Sequence, residues 1–126
     1  MRAHLSAKGV PPDVAERAVG ELVEQSYLDD ARFAHRFAED RRALDHWGSE
    51  RIERRLRELG IERPLAAEAT AAGEEGELDA AVALLARRFP SPPREERDLN
   101  RALGLLVRRG YELELAHDAI RAYRQD

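Results

Sequence analysis

The chain has 126 residues, a formal net charge of −4 and no cysteine. A disulfide framework and a zinc–thiolate site are therefore excluded, and no apolar run is long enough for a signal peptide or a membrane span. The acidic balance argues against a generic polyanion binder. The apolar residues are mostly Ala and Leu and the charged ones mostly Arg and Glu. These types favour helix, and the β-branched and aromatic runs that would mark strands are missing.

Residues 1–8 can form only the last turns of a helix, closed by Gly9. Pro11 and Pro12 start the next one, with Val14, Ala18, Val19 and Leu22 on one stripe. Ser26-Tyr27-Leu28-Asp29-Asp30 is expected to break the pattern, with Asp29 as N-cap of a helix running to Leu44. Phe33, Ala34 and Phe37 form the apolar stripe of that helix. Ser49 is the expected cap of the following helix, whose inward residues are Ile52, Leu56 and Leu59. It ends at Gly60.

A helix from Glu62 to about Ala72 follows, with Pro64 in its first turn. After Gly73-Glu74-Glu75-Gly76, the segment Leu78-Asp79-Ala80-Ala81 matches Leu28-Asp29-Asp30-Ala31 at an offset of 50, and Asp79 is the expected echo of the Asp29 cap. Leu78, Ala81, Val82, Leu85 and Phe89 make a helical stripe. Pro90-Ser91-Pro92-Pro93 stops it. A helix from about Arg94 to Arg109 puts Leu99, Leu103 and Leu106 inward and closes at Gly110. The last helix, Glu112 to Tyr123, faces Leu115, Ala119, Ile120 and Tyr123 inward.

Gly9, Gly60 and Gly110 each follow a basic helix end and precede an apolar residue, and they lie 51 and then 50 residues apart. Five residues after each glycine stand Val14, Leu65 and Leu115; nine after stand Ala18, Ala69 and Ala119. Such self-similarity marks an array of like units that need their neighbours to bury a core. The expected fold is all-α: tandem three-helix repeats in an elongated, curved array. Repeat 1 spans 1–46 with its first helix truncated, repeat 2 spans 47–93, and repeat 3 spans 94–126 with two helices.

No constellation of catalytic residues stands out. Asp29 and Asp30 are adjacent on a helix start and point in different directions; capping explains Asp29 without chemistry. The four histidines show no ligand spacing, and phosphate-loop, dinucleotide and nucleophile-elbow motifs are absent. The sequence reads as a non-enzyme with no cofactor and no metal. Trp47 suits either packing between units or stacking on a base.

The arginines are more informative. Residues 87–109 hold seven of them against Glu95, Glu96 and Asp98. Arg51 and Arg55 face away from Ile52 and Leu56; Arg101, Arg108 and Arg109 belong to the matching helix one repeat later. If equivalent helices stack side by side, these five form one basic surface able to grip phosphates or an acidic protein groove. The competing reading is a solvated face in which Glu50, Glu53 and Glu58 neutralise Arg51, Arg54 and Arg55.

Tyr27-Leu28-Asp29-Asp30-Ala31-Arg32-Phe33-Ala34, Trp47-Gly48-Ser49-Glu50-Arg51-Ile52, Leu56-Arg57-Glu58-Leu59-Gly60-Ile61 and Leu106-Val107-Arg108-Arg109-Gly110-Tyr111 together resemble the RecX regulatory proteins of bacteria, in order and spacing, over nearly the whole chain. The resemblance makes Leu28, Asp29, Phe33, Gly60 and Gly110 a structural signature. It implies three-helix tandem repeats and a function: binding the RecA recombinase, lodging in the groove of its filament on DNA, and inhibiting filament growth, ATP hydrolysis and strand exchange. Some members also bind DNA, so a weak single- or double-stranded DNA contact is a further expectation. On this reading the basic faces carrying Arg51, Arg55, Arg101, Arg108 and Arg109 are the contact surface, and the protein is a cytoplasmic monomer with no membrane association. Family members begin earlier, with a full first helix and often a basic tail, so this sequence reads as shortened at its N-terminus. A helical-repeat DNA-binding module or a generic protein-interaction module is the alternative.

Overall fold

A computed structural model describes the backbone of residues 12–125 and the side chains of residues 15–125. The turn expected at Gly9, the helix end before it, and the side chain of Val14 lie outside the described residues. Among the described residues there are six α-helices, one 3₁₀ turn and no strand: α1 Pro12–Asp45, α2 Ser49–Glu58, α3 Arg63–Ala71, the 3₁₀ turn Glu74–Gly76, α4 Glu77–Arg88, α5 Glu96–Arg108 and α6 Leu113–Gln125. The chain divides after Phe33 into two compact units.

In the first unit, the break expected at Ser26–Asp30 does not occur: α1 is helical from Pro12 to Asp45. No Gly or Pro lies between Glu21 and Asp45, so nothing forces the backbone out of the helix. Asp29 is therefore mid-helix rather than an N-cap. Its Oδ1 accepts from Gln25 Nε2 and from Arg32 Nη2, both at 3.0 Å. These are i−4 and i+3 surface contacts of the kind helices make with their own neighbours. Leu28 and Phe33 are each 47% exposed, so Phe33 is not on an inward stripe, and Leu22 is exposed as well.

The second unit holds the end of α1 and all five later helices. Ala34 and Ala38 are its buried positions on α1. Helix α2 packs on α3, while α4 and α5 both pack on α6. One cluster unites Ala81, Leu84 and Leu85 of α4, Ala102, Leu105 and Leu106 of α5, and Ala116, Ala119 and Ile120 of α6, together with Tyr111. The boundary expected at residue 93 thus falls inside a single core. Leu99, Leu103 and Leu115 sit at its margin. Tyr123 closes one end, its hydroxyl donating to the Phe89 carbonyl at 2.6 Å.

Gly60 and Gly110 behave alike. Their φ angles are +95° and +98°, a region that costs a side chain but not glycine. Ile61 N–H donates to Leu56 O and Gly60 N–H to Arg57 O, both at 3.0 Å; Tyr111 N–H donates to Leu106 O at 3.1 Å and Gly110 N–H to Val107 O at 3.0 Å. Each is a Schellman cap, satisfying carbonyls left free at a helix end and pairing an apolar residue after the glycine with one inside the helix. Ile61 and Leu56, like Tyr111 and Leu106, are buried. Leu59, expected inside, is 44% exposed, because the chain reverses at the next residue and Ile61 fills the site.

The two caps have different neighbours. Helix α2 starts against the cap of α5. Gly48 N–H donates to Arg109 O at 2.7 Å and Glu50 N–H to Gly110 O at 3.0 Å. The amide between them, Ser49 N–H, donates to Glu77 Oε1 at 2.7 Å. Ser49 is therefore not the cap; Gly48 holds that position, and Ser49 Oγ bonds Glu77 instead. Glu77 also takes Arg42 Nη1 at 2.6 Å, while Arg42 Nη2 reaches Ser49 Oγ at 2.9 Å and Thr70 O at 2.7 Å. Glu77 is 5% exposed and Leu78 is 39% exposed, the reverse of the expected stripe. The carboxylate accepts three hydrogen bonds at Oε1, from Arg42 Nη1, Ser49 N–H and Ser49 Oγ, so α4 turns it inward and Leu78, one residue and 100° further round, outward. Asp79 lies in the first turn of α4, not at its cap, which is Gly76.

The segment before α2 is tied to the same place. Arg109 Nη1 donates to Asp45 O at 2.8 Å and the Tyr111 hydroxyl to His46 O at 3.1 Å. His46 adopts φ +59°. Burial pushes the Tyr111 phenol above its ordinary pKa; the Glu77 carboxylate adds to the rise, and Arg42 and Arg109 oppose it.

Two outcomes follow from this geometry. Gly60→Ala and Gly110→Ala both place a side chain at positive φ, costing about 1–2 kcal/mol. A Cβ at Gly60 meets nothing within 4 Å, whereas one at Gly110 lies 2.3 Å from Arg51 Cβ, so urea unfolding will show Gly110→Ala as the more destabilised. For Tyr111, a folded pKa above the unfolded value of about 10 means its contribution is complete below pH ~10 and is lost as pH rises through the folded pKa. Tyr111→Phe will cost about 1 kcal/mol at neutral pH through the lost hydrogen bond. Unfolding titrations in mildly and strongly alkaline buffer will show that gap narrowing as pH rises; an unchanged gap would contradict the assignment.

Candidate interaction surface

The junction places the arginines singled out by the sequence. Arg51 lies over Trp47, its guanidinium carbon 4.2 Å from the ring centroid, and Nη1 donates to Arg108 O at 3.1 Å. Trp47 meets Phe37 edge-on at 6.2 Å between centroids. It is a packing residue whose exposed face is already covered by a cation. Arg109 is committed to Asp45 O. Both arginines therefore hold the junction together, with some of the five guanidinium donors of each left for other partners.

Helices α2 and α5 are not stacked side by side as expected. The N-terminus of α2 meets the C-terminus of α5. This brings Arg51 to Arg108 but leaves Arg55 one turn further along α2. Arg55 pairs with Glu58 at 3.2 Å, an exposed i,i+3 pair worth a few tenths of a kcal/mol at most. Arg101 sits on α5 two turns before Arg108, 3.5 Å from Asp98 Oδ1, with its guanidinium carbon 5.7 Å from the Phe89 ring centroid.

Two depressions flank this line of arginines. One, of about 560 Å³, is bordered by His46, Trp47, Arg51, Arg87 and Arg109. Here Arg87 Nη1 lies 2.8 Å from His46 Nε2. The other, of about 440 Å³, is walled by Arg88, Arg97, Arg101 and Arg108 over Phe89 and Leu105. Arg88 and Arg97 belong to the basic run of 87–109 but were not separable from it by sequence. Their convergence depends on α4 ending where α5 passes, which the Pro90–Pro93 connector does not reveal.

Among the described residues, no group of three His, Cys, Asp or Glu is placed to hold a metal ion, and no helix is long and apolar enough to cross a membrane. The arrangement is one of positive charge and hydrogen-bond donors on a helical scaffold, suited to gripping an anionic partner.

Comparison with known proteins agrees with this architecture. Residues 29–69 match the family model described as RecX, second three-helix domain; they take in the end of α1, all of α2 and most of α3. The chain is 33% identical over 122 residues to the regulatory protein RecX of Trichlorobacter lovleyi, covering 91% of this chain and 78% of that protein. It is 34% identical over 109 residues to that of Xanthomonas axonopodis pv. citri, covering 86% and 67%, and 28% identical over 127 residues to that of Mycolicibacterium smegmatis, covering 95% and 68%. In three dimensions it resembles the crystal structure of RecX from Lactobacillus salivarius with a TM-score of 0.71 and 16% identity, over 99% of this chain and 83% of that one. With the paired glycine caps and the all-helical fold, these likenesses make the chain a member of the RecX family of regulatory proteins.

Proposed function

We propose that this protein binds the RecA recombinase, lodges in the groove of its filament on DNA, and inhibits filament extension, ATP hydrolysis and strand exchange. The observation that carries this reading is the run of arginines from Arg51 through Arg108 to Arg101, set in a chain whose net charge is −4. A basic surface confined to one region of an acidic protein favours one complementary partner over polyanions in general. The action is stoichiometric rather than catalytic and needs no cofactor. The acting form is a cytoplasmic monomer. Its working units are two three-helix modules: the end of α1 with α2 and α3, and α4 to α6. Arg101, Arg108 and Arg55 make the contact. Arg51 and Arg109 hold the junction behind them while offering their remaining donors. Any contact with the filament's DNA is secondary.

DNA-dependent ATP hydrolysis by RecA tests the reading. Added protein should inhibit it with saturation at or below one copy per recombinase subunit. Arg101→Glu/Arg108→Glu should weaken the effect at least tenfold, about 1.4 kcal/mol, while Arg121→Glu, on the exposed face of α6, should not. Absence of inhibition at a large molar excess would refute the proposal. Tight DNA binding that falls steeply with salt, without inhibition, would assign the surface to nucleic acid instead.

A further inference from the structure

The groove between the end of α4 and α5 differs from the rest of the basic surface. Four guanidinium groups, those of Arg88, Arg97, Arg101 and Arg108, border about 440 Å³, and no carboxylate is among its lining residues. The nearest acid to any of them in an ion pair is Asp98, at 3.5 Å from Arg101, with side chains 39% and 66% exposed; a pair so open to water neutralises little. Like charges gathered with so little counter-charge raise one another's energy, and a bound anion relieves it.

Gly104 adds an independent observation. It stands inside α5, where glycine is a poor helix former. A Cβ there would lie 2.9 Å from Arg108 Nη1 and 3.7 Å from its Cζ. The missing side chain is the space across which the Arg108 guanidinium lies to reach the groove. The floor, Phe89 and Leu105, is apolar and suits the methylene stem of a glutamate.

We infer that this groove binds a short acidic peptide segment, its carboxylates held by the guanidinium forks of Arg97, Arg101 and Arg108. Arginine matches a carboxylate with two parallel hydrogen bonds. The inference depends on the recombinase reading only for which protein supplies the peptide. A long polyanion is disfavoured because α5 begins with Glu96 and Asp98, preceded by Glu95. A phosphodiester chain leaving the groove in that direction meets like charge; a peptide of a few residues ends before it does.

The test is fluorescence anisotropy with the full chain and a short fluorescein-labelled peptide of alternating Asp and Glu, alongside a length-matched Asn/Gln peptide and an oligothymidylate of equal charge. The acidic peptide should bind saturably and the neutral one should not. Arg97→Gln/Arg101→Gln, both on the exposed face of α5, should weaken binding roughly tenfold. Gly104→Ala should weaken it several-fold while raising the melting temperature, so that loss of binding cannot be ascribed to unfolding. No saturable binding, unchanged affinity in the double variant, or tighter binding of the oligothymidylate would each overturn the inference. Peptide binding without inhibition of RecA would leave the groove assignment standing and remove the recombinase reading; inhibition of RecA together with no saturable peptide binding would remove the groove assignment and leave the recombinase reading.

Discussion

The first amides of a helix have no carbonyl of their own helix to bond, and burying them unpaired costs more than most single contacts return. In this protein the start of α2 solves that problem with groups from elsewhere in the chain: the carbonyls of Arg109 and Gly110, and the carboxylate of Glu77. The positive end of one helix dipole meets the negative end of another. The approach is so close that a Cβ on Gly48 would lie 2.6 Å from Gly110 O. Much of the second unit is arranged around this contact. Arg42 neutralises Glu77, Tyr111 and Arg109 anchor the carbonyls before α2, and Arg51 is carried to Arg108.

The same contact explains why a repeat visible in the sequence is not a simple stack. Gly60 and Gly110 make the same cap with the same two hydrogen bonds, 50 residues apart. One cap faces open space and the other receives a helix. The caps were legible because a helix end that turns through positive φ strongly favours glycine. Leu65 and Ala69, with Ala119, were legible in the same way, from spacing, and all three are buried.

What was not legible depended on partners distant in sequence. Asp29 looks like a cap by residue type, but with no breaker nearby the helix runs through it. Leu78 is the more apolar neighbour of Glu77, yet Glu77 is inside, because Arg42 and Ser49 are there to receive it. Hydrophobic periodicity cannot anticipate a buried polar group whose partners lie 28 and 35 residues away. The five arginines chosen from helix faces separated for a similar reason. Arg51 and Arg109 are engaged by the backbone carbonyls of Arg108 and Asp45. Arg101 and Arg108 joined Arg88 and Arg97 at a groove built by the meeting of α4 and α5. An acidic chain in this way gathers several of its arginines on α5 and on the ends of α4 and α2 that abut it.

Native-state hydrogen exchange at Gly48 and Glu50 tests the central claim most directly, since both amides donate to the α5 cap and to nothing in their own helix. If the junction is integral to the fold, they will exchange as slowly as the Leu106 amide within the core, by the same global opening. Rapid exchange at Gly48 and Glu50 while Leu106 stays protected would show that α2 is not docked on α5, and the arrangement of arginines derived from that docking would fall with it.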